Sequence, residues 1–546
     1  MTQSLSQTFG RWGTPTSGPV SLTPRAAQYL AELVGTGAPA NTATHADVDV
    51  AASRLTGEQM TSLALTIGQS HVSSGRAERL KHALGCSLTD YLVAREGGSL
   101  PAPDAVATPG SHEDVMRLLR VCADHRIQVV PFGGGTSVVG GVAQPADDAS
   151  PSISIAFDRM AEVVGIDEVS CTVTVQPGIT GPQLERVLSK KGFTLGHLPQ
   201  SWERATIGGY VATRSAGQAS TGYGRSDEMV EALRVATPTT ELRLGRAPMS
   251  AAGPDLRQLF IGSEGAFGVI TEITLRVRRV PVHTRYEGLM LPDYQAGIDA
   301  FREMAQLRLT ADLMRLSDEP ETATSMAMSG PGGVVGGLFG RYLELRNVSG
   351  GCMAILGWEG HSKRVMGARR AAAWAVLRKN GAASLGGSVG AAWRRHRFEG
   401  PYLRDELMDR GYIVETLETA THWSALRTLH DAVSAALKTS LRSQQSNPYV
   451  MCHVSHVYET GASLYFTVIA VAASDPIAQW HAAKVAATDA ILANEGTVTH
   501  HHSVGRDHVP WLVQEIGEGG LAVLKSVKNT LDPSGVMNPG KLVPIA

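Results

Sequence analysis

A two-lobed α+β protein is what this 546-residue sequence predicts. Three observations carry that expectation. The chain is too long for one compact core. Between residues 101 and 282, short β-branched runs alternate with amphipathic helices and Gly-rich turns. From 283 to 499 the pattern shifts to longer amphipathic helices separated by strands. The expected organisation is a helical N-terminal segment (1–100), a ligand-binding region (101–282), a second domain (283–499) and a C-terminal segment (500–546).

Composition narrows the function classes. Hydrophobic residues make up 43% and charged residues 18%, the profile of a globular chain. Lys plus Arg is 49 and Asp plus Glu is 51, a net charge of −2. That balance offers no basic excess to meet nucleic-acid phosphates. The five cysteines are odd in number and widely spaced, with no CxxC pair, which argues against a disulfide framework or a cysteine zinc site. The N-terminal stretch has no apolar core of a secretory signal, and no apolar run reaches the roughly 18 residues of a membrane span. A cytoplasmic location is the expected default.

The elements follow in order. Leu55-Thr56-Gly57-Glu58 opens a helix, and a second helical pattern runs from Ala77 to Leu84; this N-terminal material is expected to serve packing or dimer formation. Ser111-His112-Glu113-Asp114 is a capping-box pattern, followed by Val115, Leu118, Leu119 and Cys122 on one helical face. Ile127 to Phe132, Ser152 to Ile155 and Thr172 to Gln176 read as strands, and Gly181 to Lys190 as a helix burying Leu184, Val187 and Leu188. Val269 to Val277 is a further strand. Helices are expected over Tyr294–Leu307, Ser362–Lys379 and Ser424–Leu437, a strand over Ser463–Val471, and a mobile Gly-rich loop over Ser329–Gly340.

Gly133-Gly134-Gly135-Thr136-Ser137 directly follows a strand. Glycine permits positive φ and close approach of main-chain N–H groups to a ligand. Consecutive N–H groups in such a turn make an anion nest, and the two hydroxyls add donors. A pyrophosphate fits that chemistry; a plain Gly-rich turn is the alternative for this segment by itself. The spacing matches neither a P-loop nor G-x-G-x-x-G opening a helix. Two later Gly- and hydroxyl-rich segments, 205–209 and 262–271, make three unrelated turns improbable.

Taken together, PFGGGTSVVGG (131–141), ATIGG (205–209), GSEGAFGVIT (262–271) and the tail LDPSGVMNPGKL (531–542) resemble the vanillyl-alcohol oxidase and p-cresol methylhydroxylase (PCMH) superfamily. The resemblance implies a two-lobed PCMH-type FAD-binding domain, an α/β cap domain over the isoalloxazine, a C-terminal segment returning to the flavin, and non-covalent FAD. It places Pro131, Phe132, Gly133, Gly134, Gly135, Thr136 and Ser137 around the pyrophosphate. Gln200, Ser201, Ala205, Thr206, Gly208, Gly209, Thr213, Arg214, Ser215, Ala216, Glu264, Gly265, Gly268, Val269 and Ile270 would line the rest of the cofactor.

Three adjacent imidazoles, His500-His501-His502, concentrate groups that titrate near neutrality and suit proton transfer. A surface cluster, or a metal site with His453 and His456, are the other readings; adjacent residues on an extended chain face opposite ways, which disfavours one ion. The stretch Thr497 to Arg506 resembles the histidine triplet of the alkyldihydroxyacetonephosphate synthase family, bacterial type. Gly461 to Phe466 resembles the strand carrying that family's active-site tyrosine, at Tyr465. Tyr402-Leu403-Arg404-Asp405 and Met314-Arg315-Leu316 resemble its arginine segments, at Arg404 and Arg315.

The chemistry is consistent with that resemblance. An arginine fork matches phosphate oxygens, and a tyrosine beside arginine and histidine is expected to have a lowered pKa. The alternatives are arginines in ordinary ion pairs and a tyrosine packed in the core. The resemblance implies exchange of the acyl group of acyl-dihydroxyacetone phosphate for a long-chain alcohol to form an ether, through carbon capture at flavin N5 and without net redox change. Tyr465 with His501 or His502 would move protons, and Arg404 and Arg315 would hold anionic groups. No metal is expected; a homodimer, lipid substrates and peripheral membrane contact are. The competing functions are a flavin-dependent 2-hydroxy-acid dehydrogenase and a non-catalytic flavoprotein. Were the flavin covalently tethered, His112 or His125 would be the candidates.

Overall fold

The computed structural model describes residues 9–13, 20–40, 42–145, 150–330 and 333–544. These form two compact units. The first comprises residues 42–217, 224–280 and 501–544; the second comprises the described residues up to 40, then 218–223 and 281–500. The expected 1–100 segment is therefore divided. Its helix Pro24–Val34 buries Leu30 and Val34 against Leu407, Tyr412, Val414, Met451 and Ile469 of the second unit. Its helices Gly57–Ile67, Arg76–Lys81 and Leu88–Glu96 belong to the first.

The first unit contains two main sheets. In one, Val72–Ser73, Ala105–Ala107, Ser152–Ala156 and Gln128–Phe132 lie in that order, the last three parallel. In the other, Glu241–Leu244, Val230–Ala236, Val269–Arg276, Thr172–Val175 and Val163–Asp167 are antiparallel. Helix His112–Asp124 packs its predicted face inward, with Val115, Leu118, Leu119 and Cys122 wholly buried. Ser111 caps it by accepting from the Asp114 N–H, but the Asp114 carboxylate accepts from Gly110 N–H, one residue outside the expected reciprocal box. Helix Gly181–Ser189 buries Leu184 and Leu188; Val187 is exposed, because it lies off that face.

The tail holds an element the sequence did not suggest, helix Leu512–Leu531, interrupted at Gly517 where φ is 73°. Beyond it, Asp532 accepts from the N–H groups of Val536 and Met537, and Met537 pairs in parallel with Val129. The C-terminal segment thereby joins the same sheet whose strand delivers Pro131.

The second unit is built on a seven-stranded antiparallel sheet. Its order is Ala383–Gly386, His283–Leu291, Cys352–Gly360, Leu313–Ser317, Tyr449–Val457, Gly461–Val471, Tyr412–His422. Helix Leu426–Ser443 buries Leu426, Leu429, Val433, Leu437 and Leu441 along one stripe, the period of an amphipathic helix. The expected loop over Ser329–Gly340 is instead largely helical. Helix Glu319–Ser329 is capped by Asp318 and a second helix spans Gly333–Leu345, while residues 331 and 332 lie outside the described residues. Four glycines between 333 and 340 lower helix propensity without abolishing it. Val334, Val335 and Leu338 are exposed on this helix, whereas Leu343 packs into a small core with Met290, Val348 and Ala383.

Leu118 is wholly buried in the first unit's core. Leu118→Ala should lower unfolding stability by about 2–5 kcal/mol, read from denaturant titration of that unit's transition.

Candidate functional site: a flavin cradle and a tyrosine row

In the first unit, three distant segments meet through their backbones. A Cβ on Gly134 would stand 2.2 Å from the Arg204 carbonyl oxygen, and one on Gly133 would stand 2.5 Å from Thr206 Oγ1. Gly265, at φ +77°, faces the Pro131 ring at 2.6 Å in the same sense. A Cβ at any of the three would stand within 3 Å of a neighbouring atom, so the approaches favour glycine. Thr206 caps helix Ile207–Ala212 by accepting from Gly209 N–H, and Gly208 N–H donates to the Pro177 carbonyl. The Ser201 carbonyl accepts from the N–H groups of Arg204 and Ala205, closing the turn that also carries Gln200.

Other predicted cofactor residues serve the frame. The Ser137 hydroxyl accepts from Gly141 N–H at 2.9 Å, so its role is partly to turn its own loop. Thr213 donates to the Gly209 carbonyl, Arg214 pairs with Asp227 at 3.3 Å, and Ser215 lies 3.2 Å from His197 Nε2. Ala216 is buried. Gly268, at φ +149°, passes against Ala236, and Val269 and Ile270 begin the strand that follows.

Several buried polar atoms here, His197 Nδ1, Ser263 Oγ and Glu264 Oε1, have no hydrogen-bond partner among the described residues. Unsatisfied buried polar atoms are costly unless a ligand meets them. Glycine-lined main chain plus such atoms fit a polar dinucleotide.

The second unit carries the other predicted residues. Tyr465 lies opposite Glu418 on one neighbouring strand and opposite His453 on the other. The His453 ring stacks on Tyr465 at 5.0 Å. Arg404 lies 3.6 Å from Glu415, and Arg315 lies 2.6 Å from Glu321. The two expected anion-holding arginines are thus already faced by carboxylates. The triplet is divided as well. His500 gives its N–H to Glu418 at 2.6 Å and its Nε2 lies 2.7 Å from the Tyr458 hydroxyl, within the second unit. The rings of His501 and His502 lie edge to face, 4.7 Å apart, in the first unit.

Comparison with known proteins gives this geometry a family. An FAD binding domain family matches residues 103–244, and a family described as the C-terminal domain of FAD-linked oxidases matches 280–542. The alkyldihydroxyacetonephosphate synthase of Dictyostelium discoideum is 34% identical over 477 residues, 85% of this chain and 77% of that protein. The one from Trypanosoma brucei brucei is also 34% identical, with the same coverage. The chain belongs to the alkyldihydroxyacetonephosphate synthase family. A solved alkyldihydroxyacetonephosphate synthase superposes with a TM-score of 0.81 at 28% identity, covering 97% of this chain and 96% of the other. A p-cresol methylhydroxylase structure shares the fold at a TM-score of 0.66 and 15% identity, covering 90% of this chain and 98% of that one. The D-lactate dehydrogenase of Arabidopsis thaliana is more distant, at 26% identity over 81% of this chain and 74% of that protein. The cofactor of this flavoenzyme family member is FAD.

Electrostatics overturn one expectation. Burial, reinforced by Glu415 and Glu418, pushes the Tyr465 phenol up to about 12, and Arg404 and a hydrogen bond from Thr416 only partly oppose it. Tyr465 is a neutral phenol at physiological pH, not a lowered one. In the flavin unit, burial holds His197 neutral, down at about 3. Burial also raises Glu264 to about 7, although Gly505 N–H, Ser503 and Lys541 pull it back. Sequence reasoning missed Glu321, Glu415, Glu418 and Tyr458. Glu418 and Tyr458 are remote in sequence from His500, whereas Glu321 and Glu415 lie six and eleven residues from their arginines but are marked by no motif.

Two outcomes follow. Gly134→Ala should yield protein purified with little or no flavin, read from the ratio of absorbance at about 450 to 280 nm, because the new methyl has no room. For Glu264, the folded value of about 7 lies above the ordinary 4.5. The folded state then keeps a proton that the unfolded chain releases between those values, so stability falls as pH rises through that window. The loss is about 3 kcal/mol, and Glu264→Gln should flatten the pH dependence of the melting temperature between pH 5 and 7.5.

Proposed function

We propose that this enzyme exchanges the acyl group of acyl-dihydroxyacetone phosphate for a long-chain alcohol, making an ether-linked dihydroxyacetone phosphate and a fatty acid. The ester C–O bond at the substrate's terminal carbon breaks, a C–O bond to the alcohol oxygen forms, the acid leaves as carboxylate, and the alcohol proton passes to a protein base. There is no net redox change. FAD, when bound, supplies the electrophilic isoalloxazine nitrogen that makes such a carbon reactive.

The chain's own residues do the rest. Tyr465, held neutral, acts as a hydrogen-bond donor and short-range proton carrier at the reacting carbon. His501 and His502, imidazoles that titrate near neutrality, take up and return the alcohol proton. Arg315 and Arg404 orient anionic oxygens, with Glu321 and Glu415 fixing the direction of each guanidinium. His112 is buried, with Nδ1 2.7 Å from the Thr271 hydroxyl and Nε2 2.8 Å from the Glu241 carboxylate, which supports a structural role for it rather than a flavin tether.

The observation that carries this reading is the register of Tyr465 between Glu418 and His453, in a chain one third identical to enzymes named for this synthesis. Incubating the purified flavoprotein with acyl-dihydroxyacetone phosphate and hexadecanol should give the hexadecyl ether by mass spectrometry. Tyr465→Phe should lower turnover about 10²-fold or more while keeping flavin content. Bleaching of the flavin by D-lactate or D-2-hydroxyglutarate under anaerobic conditions, with no ether formed, overturns the reading in favour of a dehydrogenase.

A further inference from the structure

The strand pairing extends the tyrosine row to a fourth strand. Ser317 lies opposite His453, and Arg315, two residues earlier, shares its side of the sheet. Helix Glu319–Ser329 starts immediately after, capped by Asp318, whose Oδ1 accepts from Glu321 N–H at 2.9 Å. The cap fixes Glu321 in the first turn. From there its Oε1 lies 2.6 Å from Arg315 Nη2 and 3.1 Å from His453 Nδ1. His453 is itself buried, and its ring plane lies 29° from that of Tyr465.

We propose that Glu321 and His453 are positioning residues for the transfer reaction: Glu321 holds His453 in the Nδ1–H tautomer, and the imidazole so fixed sets the orientation of the Tyr465 ring. This rests on the reading of Tyr465 as the group that carries the proton. An ionised carboxylate can only accept, so the imidazole nitrogen facing it must bear hydrogen. Burial opposes ionisation of Glu321, but Arg315 and His453 outweigh it and hold the carboxyl down at about 2. In the neutral form of the ring, the lone pair then sits on Nε2. A histidine's tautomer is set by the bond its other nitrogen makes. Here that bond comes from a helix cap rather than from the sheet, so the ring is clamped from two directions. An aromatic stacked on a clamped ring loses rotational freedom, which is what a group exchanging protons with a fixed carbon needs.

The FAD-loaded full-length enzyme and three variants test this. His453→Asn keeps an N–H donor at the Nδ1 position for Glu321 but removes the ring. His453→Ala removes both, and Glu321→Gln removes the charge that selects the tautomer. All three should retain flavin. Each should lose at least about tenfold in kcat while the KM for acyl-dihydroxyacetone phosphate moves less than about threefold. His453→Asn should melt with wild type and still be slow, because a partner for Glu321 alone does not orient Tyr465. Wild-type turnover in His453→Asn or in Glu321→Gln overturns the proposal. Independently of turnover, ¹⁵N-histidine spectra should show His453 as Nδ1–H in the wild type, shifting toward Nε2–H in Glu321→Gln; Nε2–H in the wild type overturns it. A wild type that forms no ether refutes the functional reading instead, and the spectra then decide the dyad alone.

Discussion

Main-chain contact without intervening side chains is the constraint on which the flavin unit rests. Residues 133–135, 204–206 and 264–265 come from three parts of the chain and touch backbone to backbone or backbone to ring. Hydrogen in place of Cβ lets the chain turn sharply after the strand end Pro131–Phe132. Such glycines cost backbone entropy on folding. The tail completes the arrangement: Asn538 Nδ2 donates to the carbonyls of Gly141 and Glu264, tying two of the glycine segments to the last strand.

The second unit solves a different problem. A sheet of period two converts strand register into a row of side chains. Glu418, Tyr465, His453 and Ser317 form such a row across four strands. A row of ionisable groups in a partly buried sheet is tolerable only if charge is balanced nearby. Arg315 faces Glu321 and Arg404 faces Glu415, so the cations are neutralised before any anionic ligand arrives. The pairing exchanges raw attraction for a fixed guanidinium direction. It also adds to the burial that keeps Tyr465 protonated: the carboxylates of the neighbouring strand further disfavour a phenolate, and Arg404 is already engaged.

What the sequence disclosed and what it hid divide along contact distance. Helix His112–Asp124 was legible because its signals are local, a cap and one apolar face. The glycine cradle was legible because glycine marks close approach whichever segment supplies the neighbour. Tyr465, Arg315 and Arg404 were found by resemblance of short motifs. Glu321 was not, and His453 was considered only as a metal ligand with His456; 132 residues separate the two and no local pattern joins them. The sign of the Tyr465 shift failed for the same reason: Glu415 and Glu418 come from another strand, and burial outweighs the nearby arginine. The glycines of 333–340 suggested a loop because propensity is a weak prior, which Leu343 and its packing partners override.

The histidine triplet shows how three identical side chains meet different surroundings. The chain passes between the two units after His500. On one side His500 is held by Glu418 through its main-chain N–H and by Tyr458 through Nε2. On the other, Gly505 gives its N–H to buried Glu264, and its φ of +56° brings it against the Val139 carbonyl, where a Cβ would stand at 2.0 Å. Between these contacts the chain bends at residues 500–502 and Ser503 takes a positive φ of 77°, so the triplet is not an extended strand. One imidazole is used in anchoring. The other two lie in the unit that holds the glycine cradle, their rings edge to face.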